Sequence, residues 1–432
     1  MSECDSMVRG FDIFIENLSK IEGHTDLDVK VRDGKVQEVK LKISENKRFY
    51  TQGVRGKNCM SIHQLVSRIC GTCSIAHMTA CVDCVEHMFD VVPSDQTKLL
   101  RNLTMDGLMI RDHALHLYFF ALPDLLGKDS VLDFEGKAQQ ELIKKAFVVK
   151  SAGNELDKWI AGRSVHATYP QVGYYSTLPD KAKAGEMVRQ LKAARQNALE
   201  FVDIFHKCQF NFSHKTQFIA LVNPGYNFIG GEICTSNSTC IPEENFWDHL
   251  HRVVIPYSQA TGFEFEGRDY MVGALARMNL NRENLMPETR RDAAEYLNAF
   301  PSENIFHNNL AQAIEILHCI DHAIASLESF DPKPEPKPEV KVKAASGVGV
   351  IEAPRGTLYY KMKVDGAGKI LDADLVIPTA QNQVNMEDDI KLLVEQNLDK
   401  GKDAVQYEIE KLIRAYDPCM SCATHFLRIN WL

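Results

Sequence analysis

The 432-residue chain lacks any apolar run approaching the roughly 20 residues that a helix needs to cross a bilayer. A protein integral to the membrane is therefore not expected. From Met1 to Arg9 there is no basic stretch followed by an apolar one, so a secretory leader is not predicted and the cytoplasm is the expected compartment. Basic excess is also missing. Lys and Arg number 49 against 58 Asp and Glu, a formal charge of -9, which excludes nucleic acid as the main partner. Cysteine is sparse, 12 in the whole chain, too few for a disulfide framework and in keeping with a reducing compartment. What remains, 45% hydrophobic and 25% charged, is an ordinary globular composition with length enough for a large core.

The few cysteines are not scattered evenly. Arg68-Ile-Cys70-Gly-Thr-Cys73-Ser-Ile-Ala-His77 stands near the start, and Asp417-Pro-Cys419-Met-Ser-Cys422-Ala-Thr-His425 almost at the end. A Cys-x-x-Cys turn aims two sulfurs at one point, and two such pairs make a four-sulfur cage that selects soft metals over magnesium. Three readings follow. A structural zinc site of four cysteines usually knits one compact loop region, and here the pairs lie at opposite ends. A redox dithiol uses one pair and leaves the other unexplained. A catalytic metal centre buried between the first and last parts of one domain accounts for both. A third pair, Cys81 and Cys84, continues a helix from the first motif and reads as buried free thiols, as do Cys4, Cys59, Cys208, Cys234, Cys240 and Cys319.

Periodicity outlines the rest. Leu27–Arg32 alternates, pauses at Asp33-Gly34 and resumes at Val39–Ile43, predicting a hairpin. Apolar residues at helical spacing predict a long buried helix over 95–126, then helices near 136–160, 180–210, 288–299, 303–328 and 387–415. Asp112, His113 and His116 on the first of these need buried partners. Residues 215–285 are mixed. The alternation of Pro and charge at 331–339 predicts an extended strap. A second hairpin is predicted from Thr357–Val364 and Ala373–Ile377, delivering Arg355 and Thr379 from its two ends. The expected fold class is α+β and mostly helical. A large helical core carries small β-hairpins near the N-terminus and before the C-terminal motif, as a single domain over 1–432 with a Pro-rich surface excursion.

Taken together with Ile21-Glu22-Gly23-His24, Arg111-Asp112-His113, Glu352-Ala-Pro-Arg355-Gly356, His307-Asn308-Asn309 and Ile377-Pro378-Thr379, the paired cysteine motifs resemble those of nickel-iron hydrogenase large subunits, in order along nearly the whole chain. The resemblance implies a nickel-iron centre, with carbon monoxide and cyanide on iron, held by Cys70, Cys73, Cys419 and Cys422. Cys70 and Cys419 would be terminal on nickel, and Cys73 and Cys422 bridging. It further implies reversible splitting of H2 into protons and electrons. Cys419 would act as base, Glu22 as proton relay, and Arg355 would orient Asp112 and Asp417. Thr379, Pro378 and His77 would surround the cofactor. His425 would bind a magnesium-type ion, for which many members supply a glutamate where this chain has the neutral Thr51. Arg163 and His166 are read as outer-shell or structural.

Partners follow from the same resemblance. Electrons need an iron-sulfur small subunit, with further flavin or iron-sulfur subunits beyond it, as in cytoplasmic bidirectional or coenzyme-coupled members. Phe426–Leu432 is either a maturation peptide removed by a protease or a permanent end. Two alternatives remain: a zinc-binding structural or interaction module, and the quinone-site subunit of respiratory complex I, which shares the fold but lacks the four cysteines.

Overall fold

Helices built on apolar stripes carry the interior of the computed structural model, which describes residues 10–45 and 49–424. They are Ser74–Phe89 (α1), Asp95–Leu115 (α2), Gly136–Ala161 (α3), Ala184–His206 (α4), His307–Glu328 (α5), Pro378–Gln396 (α6) and Lys402–Ala415 (α7). The Ser94 hydroxyl caps α2 by accepting from the Thr97 amide at 3.1 Å, which satisfies one of the free amides at the helix start. α2 packs on α3 and α5, and α5 also packs on α4. The single helix expected over 95–126 is interrupted by a π-helical turn, His116–Ala121, before a last turn at Leu122–Leu125. Pro123 has no amide hydrogen to give to the preceding turn, so the regular ladder cannot run through it. Among the described residues no helix is long and apolar enough to cross a membrane.

Two antiparallel sheets flank the helices. Asp12–Ile15 (β1), Thr25–Arg32 (β2) and Lys35–Ile43 (β3) form the first, with the hairpin of β2 and β3 turning at Asp33-Gly34 as the alternation predicts. The Leu41 amide and carbonyl of β3 bond the Glu387 carboxylate at 2.9 Å and the Gln383 amide at 3.1 Å, fixing the N-terminal sheet to α6. Ala345–Ala353 (β4), Gly356–Val364 (β5) and Ile370–Val376 (β6) form the second, a meander where a two-stranded hairpin was expected. β4 escapes the strand pattern because it lies on α1 with almost no side chain between. A Cβ on Gly349 would stand 2.4 Å from the Cys84 amide nitrogen. That contact also accounts for Cys81 and Cys84 as buried thiols, Cys84 donating to the Gly347 carbonyl at 3.2 Å.

The segment unassigned from sequence holds a four-stranded sheet with Gln217–Val222 between Glu232–Thr235 and Tyr270–Met271. Cys234 and Cys240 face each other across adjacent antiparallel strands and form a disulfide, correcting the expectation of free thiols there. Residues 331–343 run without regular secondary structure and are pinned to the start of α2: Lys333 exchanges two hydrogen bonds with Gln96, at 2.6 and 2.8 Å, and Ser94 donates to Glu335 at 2.6 Å.

Candidate metal centre

The first cysteine pair sits on the turn that feeds α1, where Cys73 is the residue preceding the first helical position. The turn is held from behind. Arg111 of α2 donates to the Thr72 carbonyl at 2.7 Å and to Asp157 of α3 at 3.0 Å. His166 serves the same loop through Ser67 and Ser74, at 3.1 and 3.0 Å. The second pair follows α7 after a sharp turn in which Asp417 takes φ 51°. Left-handed geometry is unusual for a non-glycine residue, and ion pairing of the Asp417 side chain helps to hold it. The backbone of Glu22 then pairs with that of Cys419, and the Glu22 carbonyl accepts the Met420 amide at 2.9 Å. Gly23 makes this approach feasible: its φ is +83°, and a Cβ there would lie 2.8 Å from both the Met420 Cβ and the Ser421 amide nitrogen.

Four sulfurs thus converge from two pairs of residues whose partners are 349 positions apart in sequence. Cys70 lies 3.5 Å from Cys419, Cys73 3.1 Å from Cys422, and Cys419 2.8 Å from Cys422. All four ligand atoms fall within 4.8 Å of one another and all four residues are buried. Burial raises the Cys419 and Cys422 thiols, whereas hydrogen bonds from the other thiols, Cys419 first, pull Cys70 well down. A buried cage of this size stabilises one thiolate at the expense of the rest unless a multivalent soft cation neutralises them. The donor set therefore fits nickel, iron or zinc, and not magnesium.

Beside the sulfurs lies a small cavity of about 10 Å³. Cys73, Cys419 and Cys422 line it, and Cys70 does not. Its walls are apolar at Ala353, Leu358, Ile377 and Pro378 and polar at Arg355, Thr379 and His77. The Nε of Arg355 is buried there with no hydrogen-bond partner, a costly state that an acceptor in the cavity would relieve. Its two other nitrogens are taken by Asp112 at 3.1 Å and Asp417 at 3.0 Å. Burial opposes the Arg355 charge, but those carboxylates more than offset it and hold its pKa well above the usual value. Thr379, next to Pro378 in the first turn of α6, accepts the Cys419 amide at 2.8 Å.

His77 reaches Cys422 at 3.5 Å through Nε2 and the Tyr360 hydroxyl at 2.8 Å through Nδ1. Burial lowers its pKa to about 4, so the ring is neutral at pH 7. Glu22 receives the Cys419 thiol at 3.0 Å and the Ser421 amide at 3.1 Å, and burial, joined by the negative Cys70, holds its carboxyl above the usual range. A carboxyl at that distance, with that bias, can exchange a proton with the sulfur.

Thr51 is buried in the short helix Tyr50–Gly53, and His425 lies outside the described residues, as does the tail after it. Arg163 is not among the residues that line the cavity beside the cysteines. Sequence reasoning missed the supports. Gln312 of α5 donates to Asp417 at 2.9 Å and meets His116 at 2.6 Å. Arg277 joins Glu315 and Glu352 at 2.6 and 2.7 Å, and Glu315 also meets His113 at 2.8 Å. The only sequence signal for these was a polar residue on an otherwise apolar helix.

The model of the family described as nickel-dependent hydrogenase matches residues 51–161 and 250–425. The alpha subunit of sulfhydrogenase 1 of Pyrococcus furiosus is 31% identical, over 96% of this chain and 98% of its own length. Its counterpart in sulfhydrogenase 2 of the same organism is 28% identical over 96% of this chain and 100% of its own. Among solved structures, an NAD+-reducing [NiFe]-hydrogenase in the H2-reduced state superposes with a TM-score of 0.82 at 24% identity, covering 96% of this chain and 99% of that one.

Proposed function

The chain belongs to the nickel-dependent hydrogenase family, and from that premise we propose that Cys70, Cys73, Cys419 and Cys422 hold a nickel-iron centre at which H2 is converted reversibly to two protons and two electrons. When bound, such a centre supplies Lewis acidity and redox capacity. The observation that carries the reading is the convergence of four buried sulfurs within 4.8 Å of one another, beside a cavity lined by Cys73, Cys419 and Cys422. By resemblance to the family pattern, Cys73 and Cys422 would bridge the two metals and Cys70 and Cys419 would be terminal on nickel. The unpartnered Arg355 Nε and the Thr379 hydroxyl offer hydrogen bonds to small ligands such as cyanide, while the apolar wall suits carbon monoxide.

Cys419 Sγ takes the proton released from H2 and passes it to the Glu22 carboxyl 3.0 Å away. Arg355 holds Asp112 and Asp417 in place and, being permanently charged, stabilises negative charge in the cage. His77, locked by Tyr360, tunes the Cys422 sulfur.

Electrons leave through partners. Both sulfhydrogenase relatives are named as subunits, hence as parts of larger assemblies, which supports an iron-sulfur small subunit here. Flavin or further iron-sulfur subunits, a cytoplasmic location and trimming of residues 426–432 by a maturation protease belong to the same reading. At the magnesium-type position, Thr51 provides no carboxylate, so His425 would act there with weaker support. Metal analysis with an infrared spectrum tests the whole. Nickel and iron together with iron-carbonyl and cyanide bands are expected, and zinc alone in the cage would overturn the proposal.

A further inference from the structure

A second group of metal-ligating side chains lies at the far end of α1, ten residues and so roughly 15 Å of helix beyond Cys73. We propose that Asp83, His87 and Glu243 form a binding site for a divalent transition ion of the zinc class, separate from the cysteine cage. One ligand atom from each lies within 4.8 Å of the others. Asp83 and His87 are four apart on α1, which sets them on one face, with the His87 Nδ1 3.7 Å from the Asp83 carboxylate. Glu243 comes from the 3-10 turn Glu243–Asn245, so the ion would join two elements.

Two features of the donors point to a cation. The Glu243 Oε2 is buried and has no hydrogen-bond partner. The His87 Nδ1 lies 2.9 Å from the Val348 carbonyl. A carbonyl only accepts, so Nδ1 carries the hydrogen, which leaves Nε2 as the nitrogen that an ion displacing a proton would take, the arrangement by which metal-bound histidines are usually anchored. Asp83 is fixed too, accepting the Val350 amide at 3.2 Å.

Two carboxylates and one neutral imidazole match a doubly charged ion, and the nitrogen donor favours zinc over magnesium or calcium. Entry is open. The His87 side chain is 54% exposed, and Asp83 and His87 border a surface cleft beside Asn227 and Gly230.

The test is zinc content of the purified, nickel-loaded complex after equilibration with Zn2+ and removal of free ion. Wild type should hold one zinc per chain more than either Glu243→Gln or His87→Ala. Both variants should keep nickel, iron and H2 turnover, which verifies their folding. Cobalt substituted for zinc should give wild type a visible absorption band that both variants lack. Equal zinc in all three proteins, or no zinc gained by wild type, would overturn the proposal. Since the readout is the difference between variants at fixed nickel and iron, it stands apart from the reading of the cysteine cage.

Discussion

Cys419 is the residue on which most of the proposed chemistry converges, with Cys70 and Cys422 on one side and the Glu22 carboxyl on the other. Replacing its sulfur by a weakly acidic hydroxyl, in Cys419→Ser, should abolish H2 uptake; turnover at the wild-type rate would contradict its role. Glu22→Gln keeps the shape and loses the exchangeable proton. It should retain nickel and iron yet slow the exchange of H2 with D2O by roughly 10²-fold or more, in line with the usual contribution of a positioned acid or base. Unchanged exchange would remove Glu22 from the relay. Arg277 differs in kind. It neutralises the buried Glu315 and Glu352, so Arg277→Met removes the guanidinium that both carboxylates share and should cost about 3–5 kcal/mol in chemical denaturation, as breaking a buried ion pair generally does.

Among the elements, the juxtaposition of the Glu22–His24 segment with the second cysteine pair depends on Gly23. Gly23→Ala combines a left-handed backbone with a backbone clash. It should destabilise the fold by at least about 1–2 kcal/mol and lower the nickel content, both measurable on one preparation. Elements whose pattern is carried by their own side chains were legible in the sequence: the β2–β3 hairpin, α3, α4 and α5. β4 was not, because Gly347 and Gly349 leave bare backbone against α1. The beginning of α6 was read as a strand end since Pro378 follows an apolar run, yet proline is well suited to the first position of a helix. The cysteine pairs were legible because their spacing is local. Gln312, Arg277 and Glu315 were not, because each becomes meaningful only when distant elements meet. The Cys234–Cys240 disulfide was hidden likewise, since cross-strand register leaves no mark on composition.

For the molecule as a whole, acid should be an effective denaturant. Burial lowers His63 to about 4 and His318 to about 3, so both are neutral in the folded chain at pH 7. In the unfolded chain they take up protons near pH 6.5. Their contribution is therefore complete above that pH and is lost as pH falls toward the folded values, because the unfolded state binds more protons. For His63 the loss is about 3 kcal/mol when titration is complete. His63→Phe should shift the acid unfolding midpoint, followed by circular dichroism, to lower pH, and an unmoved midpoint would exclude His63 as a contributor.

The partners in the cage are 349 residues apart, so during translation one half of it leaves the ribosome long before the other is made. A nascent chain, or one terminated before Cys419, can present one thiol pair and nothing to close it. All four sulfurs of the cage are therefore present together only in a polypeptide extended through Cys422.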